Sequence, residues 1–201
     1  MLPLGGQRSG GSRKRGGTPM SPKDLPIPVE QRHFEDYAPG SIGVYGPIAL
    51  TEADIVEFAL RYDPQPMHTD PVAAARGPFG GLIASGWHTT GLVMRVLVER
   101  YLSHVAALAS PGIDELRWHK PVRPGDVLSV RITVLEASIS RSKPDRGLIR
   151  SFIEALNQND EVVMSLKAMN FLRRREPGSS DASRGAGPPS SLGDATRARR
   201  R

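Results

Sequence analysis

The chain has 201 residues, no cysteine and a net charge of +6, which excludes a disulfide framework, a thiolate nucleophile and a cysteine-based metal site. The positive charge sits at the ends, where residues 1–28 carry five basic and one acidic side chain and residues 173–201 carry eight and three. The body has no basic face with interleaved aromatics, no secretory signal and no bilayer-spanning run, so a cytoplasmic protein free of nucleic acid and membrane is expected.

Residues 1–28 are rich in Gly, Pro and Ser around Arg13-Lys14-Arg15, and residues 174–201 repeat that character up to Arg199-Arg200-Arg201. Both are expected to be disordered basic tails, with one folded domain over residues 29–173. Within it, residues 42–50 ("IGVYGPIAL") read as a short strand interrupted by Gly46-Pro47. Thr51-Glu52-Ala53-Asp54 then supplies a capping-box start to a helix whose buried face would hold Ile55, Phe58, Ala59 and Tyr62. The prolines of residues 63–71, "DPQPMHTDP", stop that helix, because a residue before proline is pushed out of the α region.

Pro71 opens a second, short helix, which Gly77-Pro78-Phe79-Gly80-Gly81 breaks. From Gly86 to about Ala107 a longer helix is expected, apolar around most of its circumference and so buried on several sides. Residues 113–119, 126–137, 147–156 and 161–173 change to partial alternation and are separated by turn signals, as antiparallel strands would be. The pattern is an α+β domain in which a curved antiparallel sheet wraps one long buried helix, a single hotdog fold.

The chemistry concentrates in residues 63–71. Were the segment fully polyproline-like, Asp63 and His68 would lie roughly 15 Å apart at about 3.1 Å per residue. A joint role therefore requires a bend between Gln65 and His68. If they converge, the carboxylate and imidazole serve as general base and general acid around one water. The other reading, equally open on these residues alone, makes Asp63 a turn cap and His68 a buried structural histidine. Gly86, at the expected start of the long helix, has a backbone N–H free to bind a developing negative oxygen, or else merely permits close packing against the sheet. Ser85 reads as the N-cap of that helix and Asp70 as the cap of the short one. His68, Asp70 and His88 make too weak a set for a metal site, and none is expected.

The run Asp63-x-x-Pro66-x-His68-x-Asp70, with Gly86 twenty-three positions after Asp63, resembles the MaoC-like dehydratases and (R)-specific enoyl-CoA hydratases of the hotdog superfamily. The resemblance extends over most of residues 31–173 and includes "GGLIASGWHT", "DELRWHKPVRPGD" and "SRSKPDRG". It implies a lyase that reversibly hydrates a 2-enoyl-CoA to a 3-hydroxyacyl-CoA, with Asp63 and His68 as the catalytic pair and Gly86 as the oxyanion donor. Ser85, Trp87 and Met67 become candidates for substrate contact, for a short or branched acyl group. No cofactor is implied beyond the coenzyme A of the substrate, and a homodimer or larger homo-oligomer is expected. Gln65 stands where the family pattern usually has asparagine, Ser85 where many members have histidine, and Met94 where some have serine. The alternatives are a hotdog thioesterase, using the same helix terminus on a thioester carbonyl, and a non-catalytic acyl-thioester-binding module.

Overall fold

Leu128, Val130, Ile132 and Val134 alternate with more exposed neighbours and are all buried, the period-two pattern that gives a strand one face on a core. In the computed structural model, which describes residues 25–175, they lie on β3 (Val127–Ile139). The other strands are β1 (Ile42–Ala49), β2 (Ala107–Trp118), β4 (Arg146–Leu156) and β5 (Val162–Arg173). They form one antiparallel sheet in the order β1-β3-β4-β5-β2. The β1–β3 register slips between Tyr45 and Ile48, around Pro47, which has no N–H to give to a ladder.

Helix α1 (Glu52–Tyr62) opens with the expected capping box: the Asp54 N–H donates to Thr51 Oγ1 at 3.2 Å, and the Thr51 N–H to the Asp54 carboxylate at 2.9 Å. Ile55 and Ala59 of the expected buried face are fully buried, whereas Tyr62 lies at the exposed end of the helix, packed on Phe58. A single turn, α2 (Pro66–Thr69), and a short helix, α3 (Pro71–Arg76), follow. Asp70 caps α3, one carboxylate oxygen accepting from the N–H groups of Val72 and Ala73.

Helix α4 (Gly86–Val96) continues through one wider turn, Leu97–Tyr101, and stops well short of Ala107. Leu102 is extended, and the Ser103 hydroxyl accepts the N–H groups of Val105 and Ala106, a local side-chain bond that competes with helix continuation. Strand β2 consequently begins six residues earlier than the pattern predicts. Nor is α4 buried all round. Val93, Val96, Leu97 and Tyr101 enter the core with Val130, Ile132, Ile149, Ile153 and Leu166 of the sheet, while Trp87, Met94 and Val98 are exposed.

At the ends of the described residues, Leu25 packs against the core, and the Arg175 guanidinium binds Asp36 through two nitrogens at 3.0 and 2.6 Å. The rest of both expected tails lies outside the described residues. Among the described residues no helix is long and apolar enough to cross a membrane.

Candidate active site

Asp63 ends α1, its N–H donating to the Ala59 carbonyl at 2.8 Å. The next residues do not extend away. Gln65 is the N-cap of α2, its carbonyl accepting from the His68 and Thr69 N–H groups at 2.8 and 3.1 Å, and Pro66 takes the first helical position, where a missing N–H costs nothing. The helical turn folds the chain back, so that His68 Nε2 comes 3.5 Å from Asp63 Oδ2. The bend required between Gln65 and His68 is α2.

The imidazole is buried, and its Nδ1 lies 2.8 Å from the Ile83 carbonyl. A carbonyl can only accept, so the proton of the neutral ring is on Nδ1 and the Nε2 lone pair faces Asp63. Both oxygens of Asp63 have donors: Ser85 Oγ–H at 2.6 Å on Oδ2 and Gln65 Nε2–H at 2.7 Å on Oδ1. The Ser85 hydroxyl first, and the Gln65 amide second, hold this carboxyl below the usual carboxylate range, against a smaller opposing effect of burial.

Gly86 is the first residue of α4 and Ser85 its N-cap, with Ser85 Oγ accepting the Trp87 N–H at 3.2 Å. The Gly86 N–H has no carbonyl one turn back to bond. The packing reading of this glycine is also real, since a Cβ here would come within 2.4 Å of the Trp118 indole. Trp118, on the last residue of β2, is held by its Nε1–H donating to Thr90 Oγ1 at 3.3 Å.

A cavity of about 250 Å³ opens where α2, the start of α4 and the end of β2 meet. His68 and Gly86 line it, together with Thr89, Trp118, His119, Lys120, Phe79 and Val122 among others. Asp63 stands outside that lining and reaches the cavity through His68. Of the expected substrate contacts, Ser85 is fully buried beneath Asp63, Trp87 stacks edge-to-face on Trp118 at 5.4 Å, and Met67 gives its carbonyl to the Ile83 N–H. None of the three lines the cavity.

Trp118 and Pro121, expected to belong only to the sheet and its turn, and His119, expected to serve the surface or packing, form a wall of the cavity together with Lys120. His119 Nε2 lies 2.8 Å from Ser165 Oγ, and Lys120 pairs with Glu161. No local signal marks them: they gain their place because the end of β2 returns to the start of α4. His88 is not part of the site: its ring stacks on Phe58 at 4.6 Å, and burial lowers its pKa and keeps it neutral. Among the described residues no group of three or more His, Cys, Asp or Glu is placed to hold a metal ion.

Residues 37–149 match the family model of the MaoC like domain. A MaoC-like dehydratase from Rhodospirillum rubrum is 40% identical, with a TM-score of 0.68 over 73% of this chain and 99% of that one. The 3-hydroxybutyryl-CoA dehydratase of Methylorubrum extorquens is 31% identical over 145 residues, 72% of this chain and 86% of its own. YdeM of Bacillus subtilis, an uncharacterized protein, is 26% identical over 141 residues, 70% of this chain and 99% of its own. With a five-stranded sheet wrapped on α4 and the family's bounds covering more than half of its residues, this hotdog chain belongs to the MaoC-like dehydratase family.

Proposed function

We propose that the chain catalyses the reversible addition of water to a trans-2-enoyl-CoA, giving a 3-hydroxyacyl-CoA. The observation that carries this is two facing acceptors, Asp63 Oδ2 and His68 Nε2, 3.5 Å apart beside the first N–H of α4. A water about 2.8 Å from each gives one proton to either acceptor and turns a lone pair toward the cavity. As its oxygen adds to the β-carbon, His68 Nε2 takes a proton and the thioester oxygen gains negative charge against the Gly86 N–H. The imidazolium then returns that proton to the α-carbon, so one water is added across the double bond and the enzyme is regenerated.

Asp63, held ionised by two donors, orients the water and stabilises the imidazolium, while His68, which lines the cavity, moves the proton. No cofactor enters beyond the coenzyme A of the substrate. The cavity of about 250 Å³ is the space offered to the acyl group, which we take to be short or branched. The 3-hydroxybutyryl-CoA dehydratase named among the relatives supports the same substrate class.

The chain also presents apolar surface suited to a second copy. Met94 of α4 and Ile113 of β2, each about half exposed, line one apolar recess, and among the described residues β2 is an edge strand paired on one side. A homodimer across this face is part of the proposal.

The test is incubation with crotonyl-CoA and a panel of longer and branched enoyl-CoA esters. Loss of the conjugated enoyl absorbance without release of thiol, with a 3-hydroxyacyl-CoA as product, is expected. Thiol release without hydroxyacyl product would replace the hydratase by a thioesterase. Binding of the esters with no turnover would replace it by a non-catalytic module.

A further inference from the structure

We propose that Ser85 is the positioning residue that registers the Asp63 carboxylate against the N-terminus of α4, so that the water-holding pair and the oxyanion donor stay at one fixed spacing. The inference rests on the hydratase reading for its catalytic consequence and on geometry for the rest. One hydroxyl makes two bonds of opposite sense: it donates to Asp63 Oδ2 at 2.6 Å and accepts the Trp87 N–H at 3.2 Å. Its single hydrogen goes to Asp63 Oδ2 and a lone pair takes the Trp87 N–H, so the two bonds use the hydroxyl as donor and as acceptor at once. Asp63 belongs to the end of α1 and Trp87 to the first turn of α4, so this side chain, twenty-two positions after Asp63, joins two separate elements.

Ser85 is fully buried and absent from the cavity wall, which leaves it no route to substrate. Gln65, on the exposed side, completes the hold by donating to Oδ1 at 2.7 Å. Without the Ser85 hydroxyl, Asp63 Oδ2 loses its shortest donor, the carboxylate rotates about the remaining Gln65 bond, and the 3.5 Å separation from His68 is no longer set. The Ser85 donor is also the first cause of the lowered Asp63 pKa.

The experiment compares the full chain with Ser85→Gly and Ser85→Thr. Glycine at an N-cap costs a helix only a few tenths of a kcal/mol, so Ser85→Gly removes the hold on Asp63 while largely sparing the cap; threonine keeps a hydroxyl. Asp63 is titrated through its side-chain carboxyl carbon by NMR, and kcat and KM are measured on the best enoyl-CoA. The expected results are an Asp63 midpoint below the ordinary carboxylate range in the wild-type protein and a higher one in Ser85→Gly. kcat should fall roughly tenfold or more in Ser85→Gly, as for a lost bond to a charged group, with KM little changed and both effects reversed in Ser85→Thr. An Asp63 midpoint at the ordinary value in the wild-type protein overturns the proposal without need of any variant. So does a folded Ser85→Gly with unchanged midpoint and kcat. A wild-type protein inactive on every enoyl-CoA would end the hydratase reading alone, and the titration would still decide on Ser85.

Discussion

Asp63 and Asp70 lie in the same proline-rich nonapeptide, yet their surroundings give them different work. Asp70 Oδ1 is spent on two backbone N–H groups of α3, whereas Asp63 accepts from two side chains and faces an imidazole. Asp70→Ala should therefore cost about 1 kcal/mol of stability, the usual loss of an N-cap, and leave kcat largely intact in denaturant unfolding and steady-state assays. Asp63→Asn should lower kcat/KM roughly a hundredfold or more with the fold retained. Because Asp63 titrates below its unfolded value, its contribution to stability is present above the unfolded pKa and is lost as pH falls through the folded one. Asp63→Asn should flatten the stability profile across that acidic window, as followed by circular dichroism. Gly86→Ala drives a methyl into the Trp118 ring and should destabilise by about 1–3 kcal/mol while lowering kcat. The types and spacing of Asp63, His68 and Gly86 were legible in the chain; the place of Trp118, His119 and Lys120 in the cavity wall was not, because it comes from a strand end returning to a helix start far away in sequence.

At the level of elements, four apolar segments with turns between them were readable as strands, and the capping residues of α1 and α3 were readable as well. What could not be read was where α4 ends. Periodicity continues past Tyr101, and the change to extended backbone is decided by the Ser103 hydroxyl taking two N–H groups and by the Tyr37 phenol accepting the Ser103 N–H at 2.9 Å. These are long-range and side-chain effects, invisible to a moving window. Ser103→Ala leaves the buried Ala106 N–H without its acceptor and should cost about 1–3 kcal/mol in urea unfolding, without moving the pH dependence of Asp63. Similarly, the prolines around α2 argued for stiffness, but stiffness of the wrong shape: extended prolines would have separated the pair, and it is Pro66 at the start of a helical turn that brings His68 back.

At the scale of the whole molecule the exposed face of α4 and the edge strand β2 are continuous, since Met94 and Ile113 share one recess. A charge there should be tolerated by the fold and not by self-association: Met94→Glu or Ile113→Lys is expected to shift a wild-type dimer toward monomer in sedimentation velocity, with thermal stability of the isolated chain little changed. A monomeric wild-type protein would remove the basis of that expectation. The chain has only two tryptophans, and Trp87 and Trp118 stand edge to face at this same end, one of them a wall of the cavity and laid over Gly86. All indole emission therefore originates within one ring contact of Gly86 and the cavity it lines. The protein carries its own optical probe, and titration with an acyl-CoA ester should change its fluorescence in proportion to occupancy, without a label and before any turnover is measured.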